Sequence, residues 1–166
     1  VDGFVITEVV GLAVQTLAAF GQDYVLKLSG MDFVAGLLEE LGVGRRAKRQ
    51  LLEALRAKNR SGLEAACEEA GLGERESERV LALLSLYGDF RTVIAQAGTI
   101  ADSPAMKEAL ERLSLVCEAL KADGLGERIR LDFTMIQDME YYNGIIFQGY
   151  LDGLARHVLS GGQYDG

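Results

Sequence analysis

Apolar and polar residues alternate in several short stretches of the chain, a pattern that is typical of β-strands. Three such stretches lie near the C-terminus, at residues 129–133, 141–151 and 156–160. A fourth, residues 23–28, has apolar side chains on both faces, as an inner strand of a sheet would have. Because the connections between the three C-terminal stretches are short, the sequence predicts antiparallel neighbours in one sheet with the fourth strand inside it.

Helical periodicity dominates the rest of the chain. Residues 1–20 are predicted to form a helix that ends at Gly21, and its apolar positions are Val9, Leu12, Ala13, Leu17 and Phe20. Residues 33–41 are predicted to form a second helix that ends at Gly42.

Residues 44–124 show helix after helix, with glycines between them and little strand signal. The last helix of this segment has the clearest start, with Ser103 as N-cap and Pro104 at the first position. Its predicted buried stripe consists of Met106, Leu110, Leu113, Cys117 and Leu120. The pattern therefore predicts an α+β protein in three parts: a core segment at 1–43, an all-helical insertion at 44–124 and a second core segment at 125–166.

Composition narrows the possible functions. The 166 residues carry a net charge of −8, which argues against a general binder of nucleic acids or anionic membranes. Two cysteines, Cys67 and Cys117, and one histidine, His157, supply neither a zinc cluster nor a disulfide framework, so we expect no metal. Without a signal peptide or an apolar run of membrane-spanning length, a cytoplasmic location is expected.

One basic cluster stands out on this acidic chain. Arg45, Arg46, Lys48 and Arg49 lie at the start of a predicted helix, where the backbone dipole disfavours cations. An anionic partner such as RNA or a nucleotide phosphate is one interpretation. A solvated helix face that serves solubility is the alternative, and it makes nucleic acid an unlikely partner.

Two segments place tyrosines beside glycines and indicate a small-molecule pocket. The first is residues 140–144, EYYNG, and the second is residues 161–166, GGQYDG. Glycine in a strand lets a ligand approach the backbone, and Tyr142 and Tyr164 would supply walls with polar tips. Glu140, Gln137 or Asp165 would then hold an ammonium or imidazole group. The alternative is a twisted sheet with aromatic cross-strand pairs and a bulge at the glycines.

These two segments resemble the histidine-specific part of the histidyl-tRNA synthetase catalytic fold, where the corresponding patterns are approximately RGLDYYxxxxFE and GGRYDGL. The matching positions are Tyr141, Tyr142, Phe147, Gly161, Gly162, Tyr164, Asp165 and Gly166. The resemblance implies a class II aminoacyl-tRNA-synthetase-like fold, with a mixed or antiparallel sheet and a helical insertion. It implies a histidine pocket formed by Gln137, Glu140, Tyr141, Tyr142, Gly161, Gly162 and Tyr164. It also implies that the sequence is a fragment of a longer protein.

One departure from the family pattern bears on chemistry. Gln137 stands where the synthetases carry an arginine that assists histidine activation, and the Gly-Leu-Asp that follows is replaced by Asp138, Met139 and Glu140. Loss of a preorganised cation typically costs on the order of a hundredfold or more in rate. No serine or cysteine has a recognisable activating partner, so we expect no catalytic residues.

The resemblance then favours relatives that have lost aminoacylation, the regulatory subunits of ATP phosphoribosyltransferase. Such a subunit is expected to need no cofactor, to bind histidine, to form a homodimer and to work with a separate short-form catalytic subunit in histidine biosynthesis. A divergent histidyl-tRNA synthetase, which aminoacylates tRNA with ATP, is the alternative. An interaction module that uses the fold only as a scaffold is the third hypothesis.

Overall fold

The computed structural model describes residues 3–21, 23–137 and 143–163. A helix, a strand and a helix open the chain, helices dominate the middle, and three strands in succession close it. In chain order, the elements are α1 Gly3–Ala18, β1 Tyr24–Gly30, α2 Met31–Glu40, α3 Arg45–Arg56, α4 Arg60–Glu69, α5 Glu74–Ala82, β2 Tyr87–Gly88, α6 Phe90–Gly98, α7 Pro104–Ala122, β3 Ile129–Asp132, β4 Ile145–Leu151 and β5 Leu159–Gly162.

The strands form one sheet in the order β2-β3-β1-β4-β5. β1 lies at its centre, parallel to β3 and antiparallel to β4, which confirms the predicted inner strand. β4 and β5 pair antiparallel, as predicted. The prediction that β3 and β4 are neighbours is wrong, because β1 lies between them and pairs with β4 along its whole length, from Tyr24 opposite Leu151 to Gly30 opposite Ile145.

The two faces of the sheet differ in polarity. Leu26, Leu28 and Leu131 are fully buried on one face, which is covered by helices α1, α2 and α7. The opposite face carries Lys27, which lies beside Arg130 of β3 and opposite Gln148 of β4. We call this second face the open face. It is the side on which polar groups of several strands are brought together.

The prediction for α1 has the right extent but the wrong face. Its buried residues are Ile6, Val10, Val14 and Leu17. Of the predicted stripe, Leu17 is buried, whereas Val9, Leu12 and Phe20 are exposed. Because Glu8 is the only charged residue of α1, apolar residues cover most of the helix surface and the periodicity does not select one face. Gly21, at φ +68°, follows the helix as predicted.

α7 matches its prediction closely. Ser103 accepts a hydrogen bond from the Met106 N–H at 3.2 Å, Pro104 opens the helix, and the whole predicted stripe from Met106 to Leu120 is buried. α7 packs against α1, α2 and β1. The middle segment thus contributes a helix to the core, and it also contains the short strand β2 within its helical sequence.

An ion pair joins α5 to α2. Arg79 donates to both carboxylate oxygens of Glu40, at 2.9 and 3.1 Å, and to the carbonyl of Ile100 at 2.8 Å. Its side chain is 11% exposed. Hydrogen bonding to Glu40 raises the pKa of Arg79 further above its usual value. Because the bond is bidentate and largely buried, it fixes the orientation of the two helices as well as their distance.

Within the described ranges, no helix combines the length and the apolar character that crossing a membrane requires.

Candidate functional site

A lysine flanked by two tyrosines lies near the middle of the open face. Lys27 Nζ is 4.8 Å from the ring centroid of Tyr150 and 5.5 Å from that of Tyr87, within the range of cation–π attraction. The Tyr150 hydroxyl donates to Gln148 Oε1 at 2.8 Å. Burial, and then the charge of Asp132, raises the pKa of Tyr150 and keeps the phenol neutral.

Asp132 is a buried carboxylate at the carboxyl end of β3. It accepts hydrogen bonds from the N–H and the hydroxyl of Thr134, at 3.0 and 2.6 Å, and Lys58 Nζ lies 3.4 Å from its other oxygen. These partners account for its burial in structural terms. The Ser29 hydroxyl, on the neighbouring strand β1, is buried without a hydrogen-bond partner among the described residues. Such an unpaired polar group is costly, which marks this end of the sheet as unusual.

Gln137 is half-buried and directly follows the buried residues 131–136. The preceding carbonyl, that of Ile136, accepts a hydrogen bond from Arg56 Nε at 3.1 Å, which ties this segment to α3. Gln137 therefore lies five residues past the carboxyl end of β3, next to a backbone position that α3 holds. The other expected pocket residues of this stretch, Glu140, Tyr141 and Tyr142, lie outside the described residues.

The backbone joins the two tyrosine motifs. The Asn143 N–H donates to the Gln163 carbonyl at 3.1 Å, and the Gln163 N–H donates to the Ile145 carbonyl at 2.9 Å. Gln163 Oε1 also accepts from the Ile145 N–H at 2.9 Å. Asn143 follows Tyr142 in sequence and Gln163 precedes Tyr164, so the described ends of both motifs are adjacent. Tyr164 and Asp165 themselves lie outside the described residues.

The glycine pair of the second motif lies in β5 instead of following it. Gly161 is opposite Phe147, and a Cβ added there would lie 2.6 Å from Cζ of that ring, so the packing of Phe147 requires a glycine. Gly162 is opposite Ile146. Their contribution to a histidine pocket remains a prediction.

Sequence reasoning missed Lys27 and its two tyrosine neighbours. The available signal was a single lysine in the otherwise apolar strand β1, but nothing in the sequence placed Tyr87 of β2 near Tyr150 of β4. The structure places both rings within reach of Lys27, because β1 pairs directly with β4 and only β3 separates β1 from β2.

The remaining candidates for chemistry are inert. His157 is exposed and its ring lies 6.1 Å from that of Tyr150 in an edge arrangement. Burial raises the pKa of the Cys67 thiol, and it raises that of Cys117 to about 12, so neither forms a thiolate at neutral pH. No cluster of three potential metal ligands occurs within residues 3–21, 23–137 and 143–163.

Within the described residues, a mixed sheet of five strands, with helices packed on one face and polar groups gathered on the other, defines a class II aminoacyl-tRNA-synthetase-like fold. The chain belongs to the histidyl-tRNA synthetase family, whose model, described as "Histidyl-tRNA synthetase", matches residues 5–166.

Similar proteins carry a more specific name. The chain is 32% identical over 159 residues to an ATP phosphoribosyltransferase regulatory subunit from Geobacter metallireducens, covering 95% of this chain and 36% of that protein. Other curated relatives, at 28–36% identity, have the same name. The chain spans roughly two fifths of the length of the curated relatives it matches.

Two solved structures share the fold. The structure of an ATP phosphoribosyltransferase regulatory subunit/histidyl-tRNA synthetase from Bacillus halodurans C has a TM-score of 0.88 at 28% identity, covering 99% of this chain and 43% of that chain. A chain of the ATP phosphoribosyl transferase (HisG:HisZ) complex from Thermotoga maritima has a TM-score of 0.75 at 20% identity, covering 96% of this chain and 55% of that chain. The second likeness shows the fold alone.

Proposed function

We propose that the chain is part of a cytoplasmic regulatory subunit of ATP phosphoribosyltransferase, without catalytic activity of its own, which binds histidine at the junction of the two tyrosine motifs. The observation that carries this proposal is the set of backbone bonds among Asn143, Ile145 and Gln163. These bonds hold the ends of both motifs side by side at one edge of the open face.

Histidine suits the chemistry of the motifs. Its imidazole is a flat ring with two nitrogens, and tyrosine supplies both an aromatic wall and a hydroxyl. Glu140 supplies a carboxylate for the amino group or the imidazole, and Gln137 supplies an amide five residues past the carboxyl end of β3. In this proposal the pocket residues are Gln137, Glu140, Tyr141, Tyr142, Gly161, Gly162 and Tyr164.

The absence of catalysis rests on position 137. A glutamine amide carries no net charge and cannot stabilise the charge that develops on a phosphate during adenylate formation. Of the cations closest to this segment, Lys58 lies against Asp132 and Arg56 donates to the Ile136 carbonyl. The alternative, a divergent histidyl-tRNA synthetase, is supported by the family model and by the double name of the Bacillus halodurans protein.

The names of the relatives supply the proposed partners. A regulatory subunit of ATP phosphoribosyltransferase acts on a catalytic subunit, here the short-form one, and the Thermotoga maritima structure is described as such a complex. We also propose that the subunit forms a homodimer. The exposed apolar side chains of α1, Val9 and Leu12 among them, support association with another surface.

Two measurements on one sample of the full-length protein test this proposal. Calorimetry with histidine is expected to show binding, and histidine-dependent ATP–pyrophosphate exchange is expected to be absent. Tyr142→Ala and Tyr164→Ala should each weaken histidine binding, by about tenfold if each wall contributes 1–2 kcal/mol. Gln137→Arg alone should not restore exchange.

Phe20→Ala provides the matched control, because it removes an exposed aromatic ring just after α1, a helix that packs on the covered face of the sheet. Its histidine affinity should equal that of the unmodified protein. Exchange by the unmodified protein would favour the synthetase alternative. Normal histidine binding by both tyrosine variants would rule out the proposed pocket.

A further inference from the structure

The positive charge of the protein is concentrated in one short segment. Residues 45–60 contain seven basic residues and one acidic residue, Glu53, for a net charge of +6. The whole chain has a net charge of −8, so the other residues together carry −14. Such separation of charge is unlike the mixed pattern that suffices for solubility.

Most of the cations of α3 lie away from its buried side, whereas Lys48 is half-buried. Leu51 and Leu55 are fully buried on the inner side. The outer side exposes Arg45, Arg46, Arg49 and Arg56, which we call the basic face, and it also exposes one acidic residue, Glu53. Spacings of four and seven residues align Arg45, Arg49 and Arg56 along the helix.

The protein itself does not compensate most of this charge. α3 has no acidic residue in its first turn and no side-chain cap at Gly44. Within the described part of the chain, the side chains of Arg45, Arg46 and Arg49 form no hydrogen bond or ion pair. Unpaired cations at a helix N-terminus destabilise the helix, so their stabilising partner is expected outside this chain.

The far end of the basic face is fastened to the candidate pocket segment. Arg56 donates to the Ile136 carbonyl, one residue before Gln137. Lys58, held at φ +53°, extends to Asp132 and lies 5.3 Å from the ring centroid of Tyr87. A molecule bound along α3 would therefore lie next to residues that position Gln137.

We propose that the basic face of α3 is the docking surface for an acidic surface of the catalytic partner subunit. This proposal rests on the proposed function. It adds a location for the subunit contact and a physical connection, through Arg56 and Ile136, between that contact and the pocket.

The distribution of charge favours a protein partner over a nucleic acid. A helix of 12 residues is about 18 Å long. A nucleic acid duplex carries a charge about every 1.7 Å, so it would extend past α3 towards other parts of a chain whose remaining residues have a net charge of −14. An acidic protein patch of limited extent contacts the basic face alone, and complementary charge of this kind guides association.

The test measures the affinity of the full-length protein for the catalytic subunit at low and high ionic strength. The triple variant Arg45→Glu, Arg46→Glu, Arg49→Glu should weaken binding at least about tenfold and remove most of its salt dependence. Arg45 and Arg46 lie in the first turn of α3, where acidic residues stabilise a helix, so unfolding is not the expected cause. The affinity of the neutral triple variant Arg45→Gln, Arg46→Gln, Arg49→Gln should lie between that of the unmodified protein and that of the glutamate variant.

The control is Lys107→Glu, Lys121→Glu, Arg156→Glu, which changes the net charge equally at exposed positions outside the segment. It should change the affinity less than about twofold. The docking surface would be overturned if the Arg→Glu variant and the control weakened subunit binding equally, or if the Arg→Glu variant did not weaken it. Either result would leave the proposed function intact. A salt-sensitive complex with an RNA duplex, lost in the first variant while subunit binding persists, would identify a nucleic-acid surface instead. If the full-length protein failed to bind the catalytic subunit at all, both proposals would fall.

Discussion

Gln163 and Ile145 exchange two hydrogen bonds. The Gln163 N–H donates to the Ile145 carbonyl at 2.9 Å, and the Ile145 N–H donates to Gln163 Oε1 at 2.9 Å. The first bond continues the backbone pairing of β4 and β5. In the second bond, the side-chain oxygen of Gln163 takes the place of a backbone carbonyl as the acceptor for the Ile145 N–H. Ile145 directly follows the first tyrosine motif and Gln163 lies within the second, so these bonds fix the relative position of the described ends of the motifs.

Replacing Gln163 should disturb both stability and binding. Gln163→Ala leaves the buried Ile145 N–H without its acceptor, which costs about 1–2 kcal/mol of unfolding free energy, and it should weaken histidine binding. Gln163→Glu keeps an acceptor oxygen at the same distance and should retain most of the stability. Urea unfolding and calorimetry of the two variants check this, and equal unfolding free energies would contradict it.

Gly144 should be intolerant of a side chain. A Cβ at this position would lie 2.5 Å from Gln163 Oε1 and 3.0 Å from Gln163 Cβ. Gly144→Ala should therefore displace Gln163 and lower the unfolding free energy by about 1–3 kcal/mol.

Gly11 supplies the matched control. It lies within α1, and nothing comes within 4 Å of a Cβ added there. Gly11→Ala should raise the unfolding free energy by about 0.5–1 kcal/mol, because alanine favours the helix. Thermal unfolding of both variants checks this pair of predictions. If the two substitutions changed the unfolding free energy in the same direction, the contact of position 144 with Gln163 would not determine stability.

Arg79 should be the most important charged residue for stability. Arg79→Ala leaves Glu40 and the Ile100 carbonyl without their donor and should lower the unfolding free energy by about 2 kcal/mol. Arg79→Lys keeps the charge without the planar fork and should cost about 1 kcal/mol. Arg75→Ala is the control, since that side chain is 83% exposed and its contact with Asp102 is 3.5 Å long. An unfolding free energy of Arg79→Ala within about 0.5 kcal/mol of that of the unmodified protein would contradict this account.

Cys117 should make the protein less stable in alkali. Burial raises its pKa from 9.0 to about 12, so the folded state holds a proton that the unfolded state releases above pH 9. The contribution of the protonated Cys117 thiol to stability is therefore fully present below pH 9, and it is lost as pH rises towards 12. Between about pH 8 and about pH 11 the unfolding free energy should fall by on the order of 2–3 kcal/mol more than in Cys117→Ala. Parallel pH profiles for the two proteins would refute this effect.

The sequence was most informative where local chemistry decides the structure. Ser103, Pro104 and Gly124 bound α7 because capping and backbone conformation depend on neighbouring residues alone. The pairing of β4 with β5 follows in the same way from a short connection. The parallel pairing of β1 with β3 could not be predicted, because about a hundred residues separate the two strands and no local signal fixes their register.

The candidate site was predictable as two motifs and not as a surface. Tyrosine beside glycine marked both segments, but Gln163, which joins them, has no distinctive pattern in the sequence. Lys27 was missed for a similar reason, since a lysine in a strand is ordinary until Tyr87 and Tyr150 lie on either side of it.

Reconstitution tests the central claim most directly. The activity of the short-form ATP phosphoribosyltransferase catalytic subunit would be measured alone, with the full-length protein, and with the full-length protein plus histidine. The account predicts that the full-length protein raises the activity and that histidine then lowers it. Activity that is identical in all three mixtures would contradict the assignment as a regulatory subunit.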